Sequence, residues 1–298
     1  MDPTCYQYPL LFLVAAVAGA VNSVAGGGTL LTFPALVWAG QFAPAWAGQV
    51  EKLANATSTV ALWPGQLGSL WGYRREIGRS HTAIALLAVP SFLGGLAGAL
   101  LLLRTRNETF ASLVPYLILT ATLLFAVQRP LSRWQRSRGK EEGGTTSEQG
   151  GTPASRGPSS LILHPSSLPV ILHPSSFPLA RWLVVLAFQF FVAVYGGYFG
   201  AGIGILMLAA FGFLGFTNIH RMNGLKNING LCINAVAAVL FIVNGLVDWR
   251  LAPLMAAGSI LGGYAGAGTA RRIGQENVRR IVVLIGLGLT IAMFVRAY

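Results

Sequence analysis

The chain has 298 residues, of which 54% are hydrophobic and only 10% charged, and its mean hydropathy is +0.61. Soluble proteins carry about 25% charged residues, so the composition excludes an ordinary soluble domain and points to a helical membrane protein embedded in a lipid bilayer. The formal net charge of +12 suggests nucleic acid at first sight, but the basic residues fall in short clusters between apolar runs. That is the pattern of cytoplasmic loops, and no nucleic-acid partner is expected.

Apolar runs of about 18 residues or more are candidate transmembrane helices. The first runs from about Pro9 to Ala39 and is interrupted by Gly26-Gly27-Gly28. Small residues at Ala16, Ala18 and Ala20 give it the look of a secretory signal. No Lys or Arg precedes it, however, and a signal needs that charge, so the segment is expected to be retained. Three further apolar segments follow, at about Leu53–Trp71, Thr82–Leu103 and Ala111–Val127. From Leu131 to Pro178 the chain turns rich in Ser, Gly, Pro and charge, and contains the direct repeat Ile162-Leu163-His164-Pro165-Ser166-Ser167 and Ile171-Leu172-His173-Pro174-Ser175-Ser176. His164 and His173 could mark a docking or metal tract, but the composition favours a low-complexity linker. The apolar pattern then resumes at about Leu179–Phe213, Leu225–Val247, Leu251–Ala270 and Val278–Val295. The expected organisation is a first membrane repeat over 1–130, a cytoplasmic linker over 131–178 and a second membrane repeat over 179–298.

The two halves read as one unit written twice. Gly26 and Gly28 map onto Gly202 and Gly204 at an offset of 176, and Lys52 and Asn55 map onto Lys226 and Asn229 at an offset of 174. Gly94, Gly95 and Gly98 map onto Gly262, Gly263 and Gly266 at an offset of 168. The last two groups have the small-residue spacing that lets membrane helices approach closely, and they are assigned to packing.

The first segment of each half is about 30 residues long, between the roughly 20 of one crossing and the roughly 40 of two. It is either one long tilted helix or a re-entrant hairpin that enters, breaks and leaves on the same side. Full crossings would divide the 21 basic residues 12 to 9 between the two sides, and re-entrant segments would divide them 16 to 5. Without the seven from Arg129 to Arg181, the re-entrant division is still 9 to 5 in the same sense. Lys and Arg concentrate in cytoplasmic loops, so the charge pattern favours the re-entrant form. Three full crossings and a hairpin make each half odd. The expected fold is therefore an all-α polytopic membrane protein of two inverted repeats, with both termini outside and the linker inside.

Irregular backbone is tolerated in a bilayer only where protein or a water-filled cavity covers it. A helix restarting near Thr29 would present unpaired N–H groups and the positive end of its dipole, which together favour an anion. The expected substrate site comprises Asn22, Ser23, Gly26, Gly27, Gly28 and Thr29 at the first break and Gly202, Ile203, Gly204 and Ile205 at the second. Lys52 and Lys226 would add charge, and Asn55 and Asn229 hydrogen bonds, since each Lys–Asn pair is three apart on one helix face. Two structural alternatives stay open: the glycines only permit tight helix contact, and both lysines snorkel to the interface.

Absences narrow the mechanism. The nine acidic residues and four histidines lie in loops or at helix edges, so a proton relay through mid-membrane carboxylates has no support. There is no nucleotide-binding motif, and no nucleophile–base pairing suggests an enzyme. Cys5 and Cys232 stand in unrelated contexts, so neither a metal site nor a disulfide framework is expected, and no cofactor is implied. An anion could leave an inside-negative cell unaided, since one charge moving through 100 mV is worth about 2.3 kcal/mol.

The opening Ala25-Gly26-Gly27-Gly28-Thr29-Leu30-Leu31-Thr32-Phe33-Pro34, its echo Gly200-Ala201-Gly202-Ile203-Gly204 and the four-plus-four duplication resemble the sulfite exporter TauE/SafE family. The resemblance covers both membrane halves and leaves out the linker. It implies a permease of the bacterial inner membrane exporting a small sulfur-containing anion, sulfite or an organosulfonate. Two positions depart from the first copy: Ile203 stands inside the second glycine cluster, and Ala210 stands where the first copy has Pro34. The alternatives are a permease for another small solute and a non-transporting membrane scaffold or assembly factor. Oligomeric state is not readable from the sequence.

Overall fold

The computed structural model describes residues 4–24, 26–72, 81–141, 179–214, 219–273, 280, 283–288 and 290–291. All regular structure among them is helical. The first half contains α1 (Thr4–Val24), α2 (Thr29–Gly40), a short 3-10 turn at Pro44–Trp46, α3 (Val50–Gly72), α4 (His81–Arg104) and α5 (Asn107–Glu141). The second contains α6 (Leu179–Tyr198), α7 (Ile203–Phe213), α8 (Ile219–Val243) and α9 (Ala252–Ile273). A further helical stretch at 283–288 packs on α5, with Gly286 against Thr122.

Each long opening segment is broken where the glycines fall. Gly26 has φ +78°, and Gly200 and Gly202 have φ +81° and +79°. L side chains rarely adopt that region, so glycine fixes the place of each break. A single tilted helix is thereby ruled out for both segments. The two arms of each break are unequal. With a rise of about 1.5 Å per residue, the 21 residues of α1 span about 31 Å and the 12 of α2 about 18 Å. The first is long enough to cross a hydrocarbon core of about 30 Å and the second is not. The same holds for α6, with 20 residues, and α7, with 11.

The halves exchange helices. α1 packs along α9 of the other half, and α6 packs along α4. α9 also packs on α3, as α4 does on α8, and α3 meets α8 at the centre. Small residues make the exchange possible. Gly258, Gly262 and Gly266 set the backbone of α9 against Phe12, Ala16 and Ala20 of α1, one contact per turn. Gly94 and Gly98 do the same for α4 against Phe190 and Val194 of α6. Without a hydrophobic drive between helices in lipid, such backbone approach is what holds them together.

The outside of the bundle is apolar. Leu13, Val89, Phe92, Val184, Phe191, Val243 and Leu261 are all more than half exposed, the surface expected of a protein that faces lipid rather than water. Among the described residues three stretches are long and apolar enough to cross a membrane, Tyr6–Ser23, Ile84–Arg104 and Arg221–Val243. The 23-residue α3 is not one of them. It buries Asn55, Thr57, Ser58, Thr59, Gln66 and Ser69 inside the bundle, so its polar face is the inner one.

Two sequence boundaries shift. The fourth segment was expected to give way to the linker at residue 131, whereas α5 continues to Glu141. α8 begins at Ile219, six residues ahead of the expected Leu225, and so carries Lys226 within its second turn rather than at its start. The duplicated tract at 162–176 lies outside the described residues.

Candidate functional site

The two breaks meet. A Cβ built on Gly26 would lie 2.6 Å from Gly204 Cα, so the backbones cross in direct contact and no side chain fits between them. Gly28 is held as closely, its Cβ position 2.6 Å from Ala18 O, so α2 starts folded back beside α1. Several backbone groups at the breaks are already paired. Gly26 N–H donates to Val21 O at 3.2 Å, Leu30 N–H to Gly27 O at 3.1 Å, Leu31 N–H to Gly28 O at 3.0 Å and Ile205 N–H to Gly202 O at 3.1 Å. The expected anion cradle is therefore smaller than the full run of N–H groups from Gly26 to Thr29 and from Gly202 to Ile205. Tight turns that close on themselves consume donors that a simple helix start would leave open.

Beside the crossing lies a polar cavity. Its wall takes Asn22 from the end of α1, Thr29 from the start of α2 and Gln66 from α3. Gly200, Ile203 and Met207 come from the second break and α7, and Lys226, Asn227, Gly230 and Asn234 from α8. The atom-free space, open mouth included, is about 330 Å³. The enclosed part is large enough to hold water.

Lys226 is buried, at 3% exposure, on this wall. Its Nζ donates to Asn22 O at 3.3 Å and Ser23 O at 3.2 Å. These are among the last carbonyls of α1, which have no intrahelical partner and carry the negative end of the helix dipole. A cation at a helix C-terminus is favourable, which explains how a lysine is tolerated inside the bundle. An ammonium has three donors, so two carbonyls leave one for a ligand. Gln66 Oε1 and Asn227 Nδ2 have no hydrogen-bond partner among the described residues, although both side chains are more than nine-tenths buried. Unpaired buried polar atoms are costly, and these two stand on the cavity wall.

The expected site residues divide. Asn22, Thr29, Ile203 and Lys226 line the cavity. Ser23 is fully buried beside it and lends its carbonyl to Lys226, and Gly26 and Gly204 form the crossing. Gly27, Gly28 and Gly202 shape the turns. Ile205 packs into the apolar core with Leu30 and Phe33. Lys52 and Asn55 stand apart from the cavity. Lys52 Nζ donates to Thr105 O in the α4–α5 turn, and Asn55 Nδ2 donates to Tyr198 O at the end of α6 at 3.0 Å. Asn229 is not on the wall: its Nδ2 donates to Leu225 O at 2.8 Å and its Oδ1 accepts from Ser91 Oγ at 3.0 Å. Gln189 Nε2 donates to the same Ser91 hydroxyl at 2.9 Å, completing a buried cluster between α4, α6 and α8.

Gln66, Asn227 and Asn234 were missed by sequence reasoning. Lys226, Gly230 and Asn234 follow one another at four-residue steps, so they share a helix face, and an asparagine deep in an apolar segment marks that face as polar. Gln66 carried the same signal inside the second apolar segment.

Sequence comparisons match the chain to a family and to several relatives. The family described as "Sulfite exporter TauE/SafE" matches residues 11–293. A "Probable membrane transporter protein" of Haemophilus influenzae is 26% identical over 95% of this chain and 93% of its own length. The "Probable membrane transporter protein YfcA" of Escherichia coli K12 is 26% identical over 93% of this chain and 85% of its own. The "Probable membrane transporter protein ORF9" of a Sinorhizobium species is 23% identical over 98% of this chain and 94% of its own. No solved structure matches. Because the family match runs through both halves and both glycine breaks, the chain belongs to the sulfite exporter TauE/SafE family.

Proposed function

We propose that this chain is a multi-pass membrane transporter that exports a small sulfur-containing anion, sulfite or an organosulfonate, across the bacterial inner membrane. The family and the relatives' names support a membrane transporter. The observation that carries the anion is the cavity at the crossing of the two breaks, with Lys226 buried on its wall. A scaffold would pack the crossed glycines dry. Here the space beside them is polar and admits water, which favours passage of a solute.

The proposed arrangement is an inverted pair of halves, each a re-entrant first segment followed by three crossings, with both termini outside and the 131–178 linker cytoplasmic. The short α2 and α7, neither long enough to cross, support re-entrant segments. Broken helices that meet near the midplane at a repeat interface are a common transporter plan. The substrate would rest against Lys226, with Asn22, Thr29 and the N–H groups left open at the breaks as further partners.

Because no carboxylate among the described residues lines the cavity, the anion moves with its own charge and the membrane potential drives it outward. Proteoliposomes loaded with sulfite and given a valinomycin-set potassium potential test this. Efflux should accelerate as the side it leaves becomes more negative. Sulfite flux indifferent to the potential would overturn electrogenic export, and no flux of any sulfur oxyanion or sulfonate would overturn the substrate assignment.

A further inference from the structure

We propose that the cavity at the crossed breaks selects anions by charge and takes a single monoanion in preference to a dianion of the same shape. The inference rests on the anion reading of this site and goes beyond it. Lys226 is the one charged side chain on the wall among the described residues, and the other side chains that could hold a ligand there are neutral, chiefly Asn22, Thr29, Gln66, Asn227 and Asn234. Two donors of the Lys226 ammonium already face Asn22 O and Ser23 O. Those carbonyls end α1, so the negative end of its dipole faces the same space and offsets the positive ends of α2 and α7, which start at Thr29 and Ile203 on the same wall, leaving Lys226 as the net charge.

Desolvation sharpens the preference. The cost of taking an ion out of water rises with the square of its charge, so a dianion loses about four times what a monoanion of equal size loses, while its attraction to one ammonium only doubles. One lysine can balance one negative charge. A second would need another cation or several strong donors. The unpartnered Gln66 Oε1 and Asn227 Nδ2 are amide groups, able to orient a ligand's oxygen atoms or polar substituent without adding charge. The site is thereby matched to a sulfonate or to the singly protonated form of a sulfur oxyanion.

Methanesulfonate and sulfate test this, since both are tetrahedral, of similar size and fully ionised at pH 6, and they differ by one charge. Calorimetric titration of the purified full chain in lipid nanodiscs, at fixed ionic strength, should show methanesulfonate binding at least about tenfold more tightly. Sulfate binding as tightly or more tightly would overturn charge selection and leave the anion site standing. If neither anion binds, the anion reading itself falls and this inference with it. Gln66→Lys adds a second cation to the wall and should move the ratio toward sulfate by about tenfold or more. An unchanged ratio in a variant that still binds methanesulfonate would overturn the inference.

Discussion

The two half-sites start from the same sequence and end differently. In the second half Lys226 caps the end of α1, and beside it Asn227, Gly230 and Asn234 open a polar wall. At the offset of 174, their counterparts in α3 are Leu53, Ala56 and Val60, all buried in the apolar core. Gln66 of the wall corresponds to Leu240. The end of α6, which matches the end of α1, is held not by Lys52 but by the neutral Asn55. Lys52 reaches instead to Thr105. The two halves therefore share the backbone plan of a break capped by a helix of the other half, α8 on α1 and α3 on α6, and differ in side chains so that one side is wet and the other filled. A duplicated motif locates a structural device twice, but it locates a binding surface only where the neighbouring residues leave room for one.

The two breaks differ most in what a methyl group would meet, and Gly26→Ala and Gly202→Ala expose that difference. Both glycines have φ near +80°, so alanine carries a backbone cost of about 1–2 kcal/mol at either position. At Gly26 the new Cβ would also lie 2.6 Å from Gly204 Cα, where only backbone could yield, whereas at Gly202 the nearest atom is Ala121 Cα at 3.5 Å, an ordinary contact. Overpacking adds about 1–3 kcal/mol. Gly26→Ala should therefore destabilise by about 2–5 kcal/mol against about 1–2 for Gly202→Ala. Equal losses of thermal stability in detergent would show that the breaks do not touch as described.

The lysines supply the next comparison. Lys226→Met should weaken methanesulfonate binding by about 100-fold or more, since it removes the charge from the cavity wall. Lys52→Met should leave binding within about threefold, because its ammonium is bonded to Thr105 away from the wall. Lys226→Met leaves Asn22 O and Ser23 O without their partner and Lys52→Met leaves the part-buried Thr105 O without its own, so both should lose about 1–3 kcal/mol of stability. That common loss separates the structural role of each lysine from the binding role of one. Equal loss of binding in the two variants would restore the symmetric site that the sequence suggests.

Much of this plan was legible in the sequence. Glycine at φ near +80° is nearly irreplaceable, so Gly26 and Gly202 announced the breaks, and the spacing of Gly94 and Gly98 or Gly262 and Gly266 announced close helix contacts that the structure makes. Which helices those contacts join was not legible. Small residues say that a neighbour comes close, not that α1 lies on α9 of the other half. The site was legible only in part for a related reason. Lys52 and Lys226 are alike in type and spacing, and what distinguishes them is the partner each reaches in space. Asn229 shows the same limit. It lies three residues from Lys226, about 60° around the helix, and Ser91 and Gln189 draw it into a separate polar cluster. α3 is too polar to count as a membrane span by hydropathy, because its polar residues face the interior of the bundle.

The smallest effect tests whether the wet wall is what separates the halves. Asn234→Val gives α8 the residue that α3 carries at the matching position, Val60, which is 8% exposed and packed in the core. Asn234 is 9% exposed and reaches the cavity from two turns beyond Lys226. Valine is nearly the same size, so the helix should keep its packing, and a buried amide replaced by an apolar group of similar shape is close to neutral for folding. Binding should respond where stability does not. Loss of one neutral hydrogen-bonding group from the wall predicts methanesulfonate affinity lower by about tenfold, or about 1.4 kcal/mol, at an unchanged melting temperature. Asn227→Leu, which copies Leu53, should act in the same direction and remove an unpartnered amide as well. If both variants bind methanesulfonate as the native chain does, the asparagines are not what makes the second half the binding half, and the difference would rest on Lys226 alone.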